Sequence, residues 1–224
     1  MEPTCLNLLT NASVVFWDFD GVVKESTVIK NQAYAQMFSK FGKETLDKVM
    51  EHHCRNGGIS REVKIPLYFR QFIGFNLSPS QISEKCAEFS TTVVQKVIGA
   101  PWVDGVQDYL KSNPYKQRFV LVTGTPQGEI IEILTRLEIL ECFHSVYGSP
   151  TTKENAIIQE LKSGTKVQDC LFIGDSTTDY EAANFHHMDF LLRETEENKK
   201  KFLNYSGPRF NDFRKFNEPF QNNH

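Results

Sequence analysis

Asp18 and Asp20 end a strongly apolar stretch, Val14-Val15-Phe16-Trp17, with only Phe19 between them. Side chains two apart on a strand point the same way, so these two carboxylates are placed to converge. At roughly 6 Å and an effective dielectric of about 20, their repulsion is on the order of 3 kcal/mol. A bound cation, a shared proton or splaying into water would offset it. The first of these makes the pair the start of a phosphoryl-transfer site, and three later segments carry the residue types such a site needs. Thr123-Gly124-Thr125 leads from an apolar run into a helical pattern, Lys153 opens a helix after Gly148-Ser149-Pro150, and Gly174-Asp175-Ser176-Thr177-Thr178-Asp179 follows another apolar run. Each type has a job. A carboxylate can attack phosphorus and split one hard step into two. Carboxylates hold Mg²⁺, whose charge lets an anionic nucleophile approach an anionic phosphate. A hydroxyl, a lysine and backbone N–H groups at a helix start hold the charged equatorial oxygens, and a second acid protonates the leaving oxygen and later activates water.

The elements that must position these residues are short apolar runs at 14–17, 119–122, 170–173 and 190–192, with a weaker one at 145–147. Each is continuous rather than alternating, as in a parallel strand covered on both faces. Helical patterns separate the later runs. One is expected to open with Thr125 as N-cap and Pro126 in its first turn; the next covers 153–161 and a third starts at 178. This alternation predicts an α/β fold with a parallel sheet flanked by helices and right-handed crossovers. The first two runs break the rhythm, because about a hundred residues lie between them, against a few dozen in an ordinary βαβ unit. That stretch reads as helices at 29–41, 46–53, 60–72 and 78–97, the last with Ser78 as cap, Pro79 after it and Gln81 at the third helical position. The expected organisation is an α/β core of residues 1–24 and 100–224 with a helical module, 25–99, inserted in it.

In order and type, D-F-D-G-V at 18–22, Thr123, Lys153 and G-D-S-T-T-D at 174–179 resemble the motif set of the haloacid dehalogenase superfamily, spread over residues 14–192. The resemblance implies a Rossmann-like core and an aspartyl-phosphate enzyme that uses Mg²⁺. It assigns Asp18 as nucleophile and metal ligand, and Asp20 as general acid/base with its backbone carbonyl on the metal. Thr123 and the N–H of Gly124 would hold the phosphoryl group, Lys153 would neutralise it and orient Asp18, Asp175 would complete the metal site, and Asp179 would support that shell. The helical insertion resembles the C1-type cap of the beta-phosphoglucomutase and phosphoglycolate phosphatase branch. These expectations name a phosphatase acting on a small phosphorylated metabolite, a sugar phosphate. The alternatives are a phosphomutase using the same aspartate and a non-catalytic binding module on the same scaffold. In mutase-like relatives a histidine commonly stands near Lys30, and the lysine here argues against mutase activity.

Composition narrows the classes further. A formal charge of −3 argues against a nucleic-acid binder. The five cysteines lack C-x-x-C spacing, which fits a reduced, cytoplasmic protein rather than a disulfide scaffold. No stretch approaches a membrane span, and the start, Met1-Glu2-Pro3-Thr4, does not resemble a signal peptide. Substrate contacts from the insertion are expected from Lys30 and from the loop-to-helix segment at 57–64, which carries Arg61 and Lys64. His52-His53 and His186-His187 lack metal-ligand spacing and read as surface or boundary residues. The charged stretch 194–201 reads as solvated. The tail phenylalanines Phe202, Phe210, Phe213, Phe216 and Phe220 would complete the sheet edge, strap the core or support an interface, three options that the sequence leaves open.

Overall fold

The computed structural model describes residues 3–217 apart from Ser163. Six parallel strands, β1 (Val14–Trp17), β2 (Arg118–Pro126), β3 (Ser145–Ser149), β4 (Cys170–Gly174), β5 (Asp189–Arg193) and β6 (Arg209–Phe210), form one sheet in the order β3-β2-β1-β4-β5-β6. All four residues of β1 are buried, and alternate ones serve opposite faces. Val15, Trp17, Phe119, Leu121, Leu171 and Ile173 belong to one core, whereas Val14, Phe16, Val120, Val122, Cys170 and Phe172 belong to the other. That is why these strands read as unbroken apolar runs.

Around the sheet, among the described residues, lie α1 (Pro3–Asn11), α6 (Val106–Ser112), α7 (Gln127–Arg136), α8 (Lys153–Lys162) and α9 (Thr177–Phe185). Between β1 and β2 stand α2 (Thr27–Phe38), α3 (Lys43–Arg55), α4 (Arg61–Tyr68), which continues as a π turn over Phe69–Ile73, and α5 (Pro79–Gly99). The capping box at the start of α5 forms, with Ser78 N–H donating to Gln81 Oε1 at 2.9 Å and Gln81 N–H to Ser78 Oγ at 3.3 Å. The apolar faces of these four helices, including Tyr34, Phe38, Ile65, Tyr68 and Phe89, join the same core as Trp17 and Leu121.

Several expectations needed correction. Thr125 is not a helix cap: β2 runs on through Pro126, and α7 begins at Gln127 without a side-chain cap. Helices α1 and α6 were not anticipated. The tail phenylalanines do two of the three things open to them: Phe210 lies in β6, which extends the sheet edge, while Phe213 stacks on Trp17 at 5.2 Å and straps the core. Phe202 packs on the opposite face against Phe190, and Phe220 lies outside the described residues.

Candidate active site

Strand register brings the chemistry together. Trp17 lies level with Leu121 on one side and Ile173 on the other, so the residues that follow each strand meet at one edge. The Asp18 N–H donates to Ile173 O at 3.0 Å, which fixes Asp18 beside Gly174-Asp175. This is the position beside the reversal of strand order where open α/β sheets place ligands.

The two aspartates of the first motif do not face each other unscreened; each has its own lysine. Lys153 Nζ lies 3.2 Å from Asp18 Oδ1 and also pairs with Asp179. Asp20 is turned the other way. Its Oδ1 accepts from Ser26 Oγ at 2.6 Å and its Oδ2 from Lys30 Nζ, which also donates to Thr125 Oγ1 at 2.8 Å. Asp18 is nevertheless pushed up to about 7, first by burial and then by the charge of Asp179, with Lys153 acting in the opposite sense. Asp175 is raised well above the usual carboxylate range by burial and by Asp18 and Asp179. Burial opposes the charge on Lys153, but Asp179 and Asp18 outweigh it and hold the ammonium above its ordinary value.

Asp18, Asp175 and Asp179 offer carboxylate oxygens that all lie within 4.8 Å of one another. Three acids around one lysine leave an excess of negative charge, and a donor set made only of oxygen suits a hard divalent cation such as Mg²⁺. Asp179 is already satisfied: besides Lys153 it accepts from Ser176 N–H at 2.9 Å and Ser176 Oγ at 2.6 Å, an N-terminal box of α9. Asp18 and Asp175 are therefore the carboxylates with capacity left for a metal. Thr123 is buried at the end of the same edge, where its Oγ1 accepts from Thr125 N–H at 3.2 Å, and Gly124 follows it.

A cavity of about 360 Å³ opens above these groups, and α2, α3, α4 and the loop before α4 form its other wall. That loop reaches the Thr123-Gly124 edge itself. A Cβ on Gly124 would stand 2.6 Å from the carbonyl oxygen of Gly58, and one on Gly58 would overlap Thr178 and come within 3.2 Å of Lys153 Nζ. The glycines at 58 and 124 are what let the two backbones meet.

The sequence matches the haloacid dehalogenase-like hydrolase family over residues 15–192. The chain belongs to that family. No curated protein matches it in sequence. Among solved structures it is similar to a haloacid dehalogenase-like family hydrolase from Streptococcus pneumoniae, at 21% identity and a TM-score of 0.64 over 89% of this chain and 93% of that one. It is similar also to a beta-phosphoglucomutase from Clostridium difficile, at 17% identity and a TM-score of 0.70 over 91% and 92%. A predicted phosphoglycolate phosphatase from Haemophilus somnus gives 15% identity and a TM-score of 0.68 over 92% and 97%. At such identities the likeness is one of fold.

The residues expected to reach the site from the insertion of this hydrolase all line the cavity, each with a partner. Lys30 holds Asp20. The Arg61 guanidinium is bidentate to Glu129 of α7, at 3.0 and 2.5 Å, and donates to Ser90 Oγ at 2.7 Å. Lys64 Nζ bonds to His53 Nδ1 at 3.0 Å and to the Asn56 carbonyl at 2.8 Å. Burial, followed by the charge of Lys30, lowers it to about 7. His53, read as a surface or boundary residue, is instead buried. The stretch 194–201 is mostly exposed, as expected, except that Asn198 is buried and donates to Asp175 O at 2.8 Å, while the exposed Lys201 lines the cavity. Ser26, Glu129 and Asn198 carried no motif, and only their contacts across the fold reveal them.

Proposed function

We propose that this hydrolase is a Mg²⁺-dependent phosphatase that cleaves a small phosphomonoester, a sugar phosphate, through an aspartyl-phosphate on Asp18. The observation that carries this reading is the inequivalence of the motif-one acids. Asp18 is buried against Lys153 at the acid cluster, whereas Asp20 is held by Ser26 and Lys30 on the cavity side. In the first step Asp18 attacks phosphorus, the bond from phosphorus to the ester oxygen breaks, and Asp20 gives its proton to that oxygen. In the second step Asp20 takes a proton from water, the water oxygen bonds to phosphorus, and the bond from phosphorus to Asp18 breaks to release phosphate. Ser26 and Lys30 hold the Asp20 carboxylate between these transfers. Thr123, the Gly124 N–H and Lys153 hold the charged phosphoryl oxygens. Asp18, Asp175 and the Asp20 carbonyl would hold Mg²⁺, which supplies positive charge against the repulsion between nucleophile and phosphate.

Residues 25–99 act in this reading as a cap on a core made of 1–24 and 100–224, excluding water and supplying specificity contacts. The Gly58–Gly124 approach and the Arg61–Glu129 pair, both between the insertion and the core, support it. The test is Mg²⁺-dependent phosphate release from a panel of sugar phosphates, nucleotides and phosphoglycolate. Asp18→Asn is expected to abolish release, and a variant that keeps most of the activity refutes the aspartyl-phosphate route. Turnover that requires a bisphosphate activator and frees no phosphate would identify a mutase instead. Lys30, bound to Asp20, speaks for the phosphatase. Failure of the whole panel would favour a binding module.

A further inference from the structure

Besides Lys30, which holds Asp20, the cavity carries cations that phosphoryl transfer does not use. Three lysines line one half of it from three separate elements: Lys30 from α2, Lys64 from α4 and Lys201 from the chain after β5. They surround the buried His53 imidazole, which burial and then the charges of Lys64, Lys30 and Lys201 keep neutral, with a pKa lowered to about 2. Its Nε2 lies 2.9 Å from Asn31 Oδ1, so the consistent tautomer donates there and leaves Nδ1 to accept from Lys64.

Two of the cations facing the cavity are neutralised, Lys30 by Asp20 and Arg61 by Glu129. Lys64 and Lys201 form no ion pair among the described residues. Lys64 bonds to His53 and to the carbonyls of Asn56 and Gly57, and Lys201 bonds to the Cys54 carbonyl at 2.6 Å. Those carbonyls lie at the C-terminal end of α3, whose dipole is worth about half a negative charge. That does not balance the Lys201 ammonium together with a Lys64 whose own charge is disfavoured by burial and by Lys30 and would be favoured by an incoming anion. Glu197, exposed on the rim, is the acid that shares this half. Tyr34 and Phe89 supply an apolar wall, with the Tyr34 ring 5.3 Å from Lys64 Nζ.

We propose that this half of the cavity is a subsite for a second anionic group on the substrate, a carboxylate or a second phosphate carried by the leaving alcohol, bound by Lys64 and Lys201 with Asn31 beside them. The proposal rests on the phosphomonoester reading of the acid cluster and narrows it to doubly anionic esters. Two lysines from different elements, brought to one cavity without a carboxylate partner, are an electrostatic complement to an anion. The cavity volume suits a substrate of sugar-phosphate size. Arg61, expected alongside Lys30 and Lys64 to contact substrate, is occupied by Glu129 and is not needed for this recognition.

Equilibrium binding to the Asp18→Asn protein tests the subsite without requiring turnover. Isothermal titration with Mg²⁺ present would compare 3-phosphoglycerate with glycerol 3-phosphate for the carboxylate arm, and fructose 1,6-bisphosphate with fructose 6-phosphate for the phosphate arm. In at least one arm the doubly anionic ester is expected to bind about tenfold or more tightly than its partner, and that arm identifies the anion. Lys64→Met and Lys201→Met, each added to this background, should cut that ratio about fivefold or more. Lys201 is exposed, so its variant carries the test if Lys64→Met does not fold. Equal affinities within both pairs, no binding of any of the four, or a ratio that survives both substitutions overturns the subsite. Phosphate release by the unsubstituted enzyme judges the chemistry separately: selective binding without release would refute the phosphatase and leave the subsite standing.

Discussion

Glu129→Gln removes the charge that balances Arg61 while nearly keeping the side chain's shape. The two side chains are 4% and 8% exposed and meet in a bidentate contact at 3.0 and 2.5 Å, with Ser90 Oγ donating to Glu129 at 2.7 Å. At that burial, water screens neither charge once its partner is gone. Removing one member of a buried pair costs about 3–5 kcal/mol, whereas replacing both by groups of similar volume is close to neutral. Glu129→Gln and Arg61→Met are each expected to lower the unfolding free energy by about 3 kcal/mol. The double variant should lose no more than the worse single one, a coupling of roughly 3 kcal/mol. Against a total of about 10 kcal/mol, each single variant still folds. With a urea slope of about 2 kcal/mol/M, its midpoint falls by about 1.5 M. Tryptophan fluorescence suits the assay, since the chain has two tryptophans and Trp17 is fully buried in the sheet. Single losses below about 1 kcal/mol, or losses that simply add, would show that the pair is screened and does not tie α4 to α7.

Three further outcomes follow from the site. Lys64, lowered to about 7 in the folded chain from an ordinary 10.5, binds fewer protons there than when unfolded; stability should rise with pH between those values, and Lys64→Met should flatten that rise in denaturation curves. Because Asp18 is raised to about 7, Mg²⁺ must compete with a proton. Its apparent affinity should fall as the pH drops below 7, with proton release on binding visible by calorimetry in buffers of different ionisation enthalpy. Gly124→Ala would put a methyl group 2.6 Å from the Gly58 carbonyl and push the loop off the Thr123-Gly124 edge; kcat/KM should fall by about 100-fold with little change in Tm, and an unaffected rate would show that this approach is not used in turnover.

What was legible in the sequence followed from local physics. Strands covered on both faces must be apolar throughout, so Val14–Trp17 and the run at 170–173 declared themselves, and a residue just past such a strand lies at the sheet's ligand-binding edge. Ser78 and Gln81 formed the capping box their spacing implied. Local signals failed where a neighbour in space overrode them. Pro126 reads as the first turn of a helix, yet β2 continues through it and Pro126 pairs with Ser149 of β3. His53 looks like half of a surface or boundary pair until α2 and α4 close over it.

The sequence by itself determined the kind of chemistry, because acids, a hydroxyl and a lysine at successive strand ends converge whenever the strands are parallel and in register. Only the tertiary structure decided how the charges are apportioned. Lys153 serves Asp18 and Asp179, Lys30 serves Asp20, and Glu129 claims Arg61 from 68 residues away, while Lys64 and Lys201 face the cavity and form no ion pair among the described residues. Coulombic partners are chosen by distance in space and by burial, and neither quantity is written in spacing along the chain.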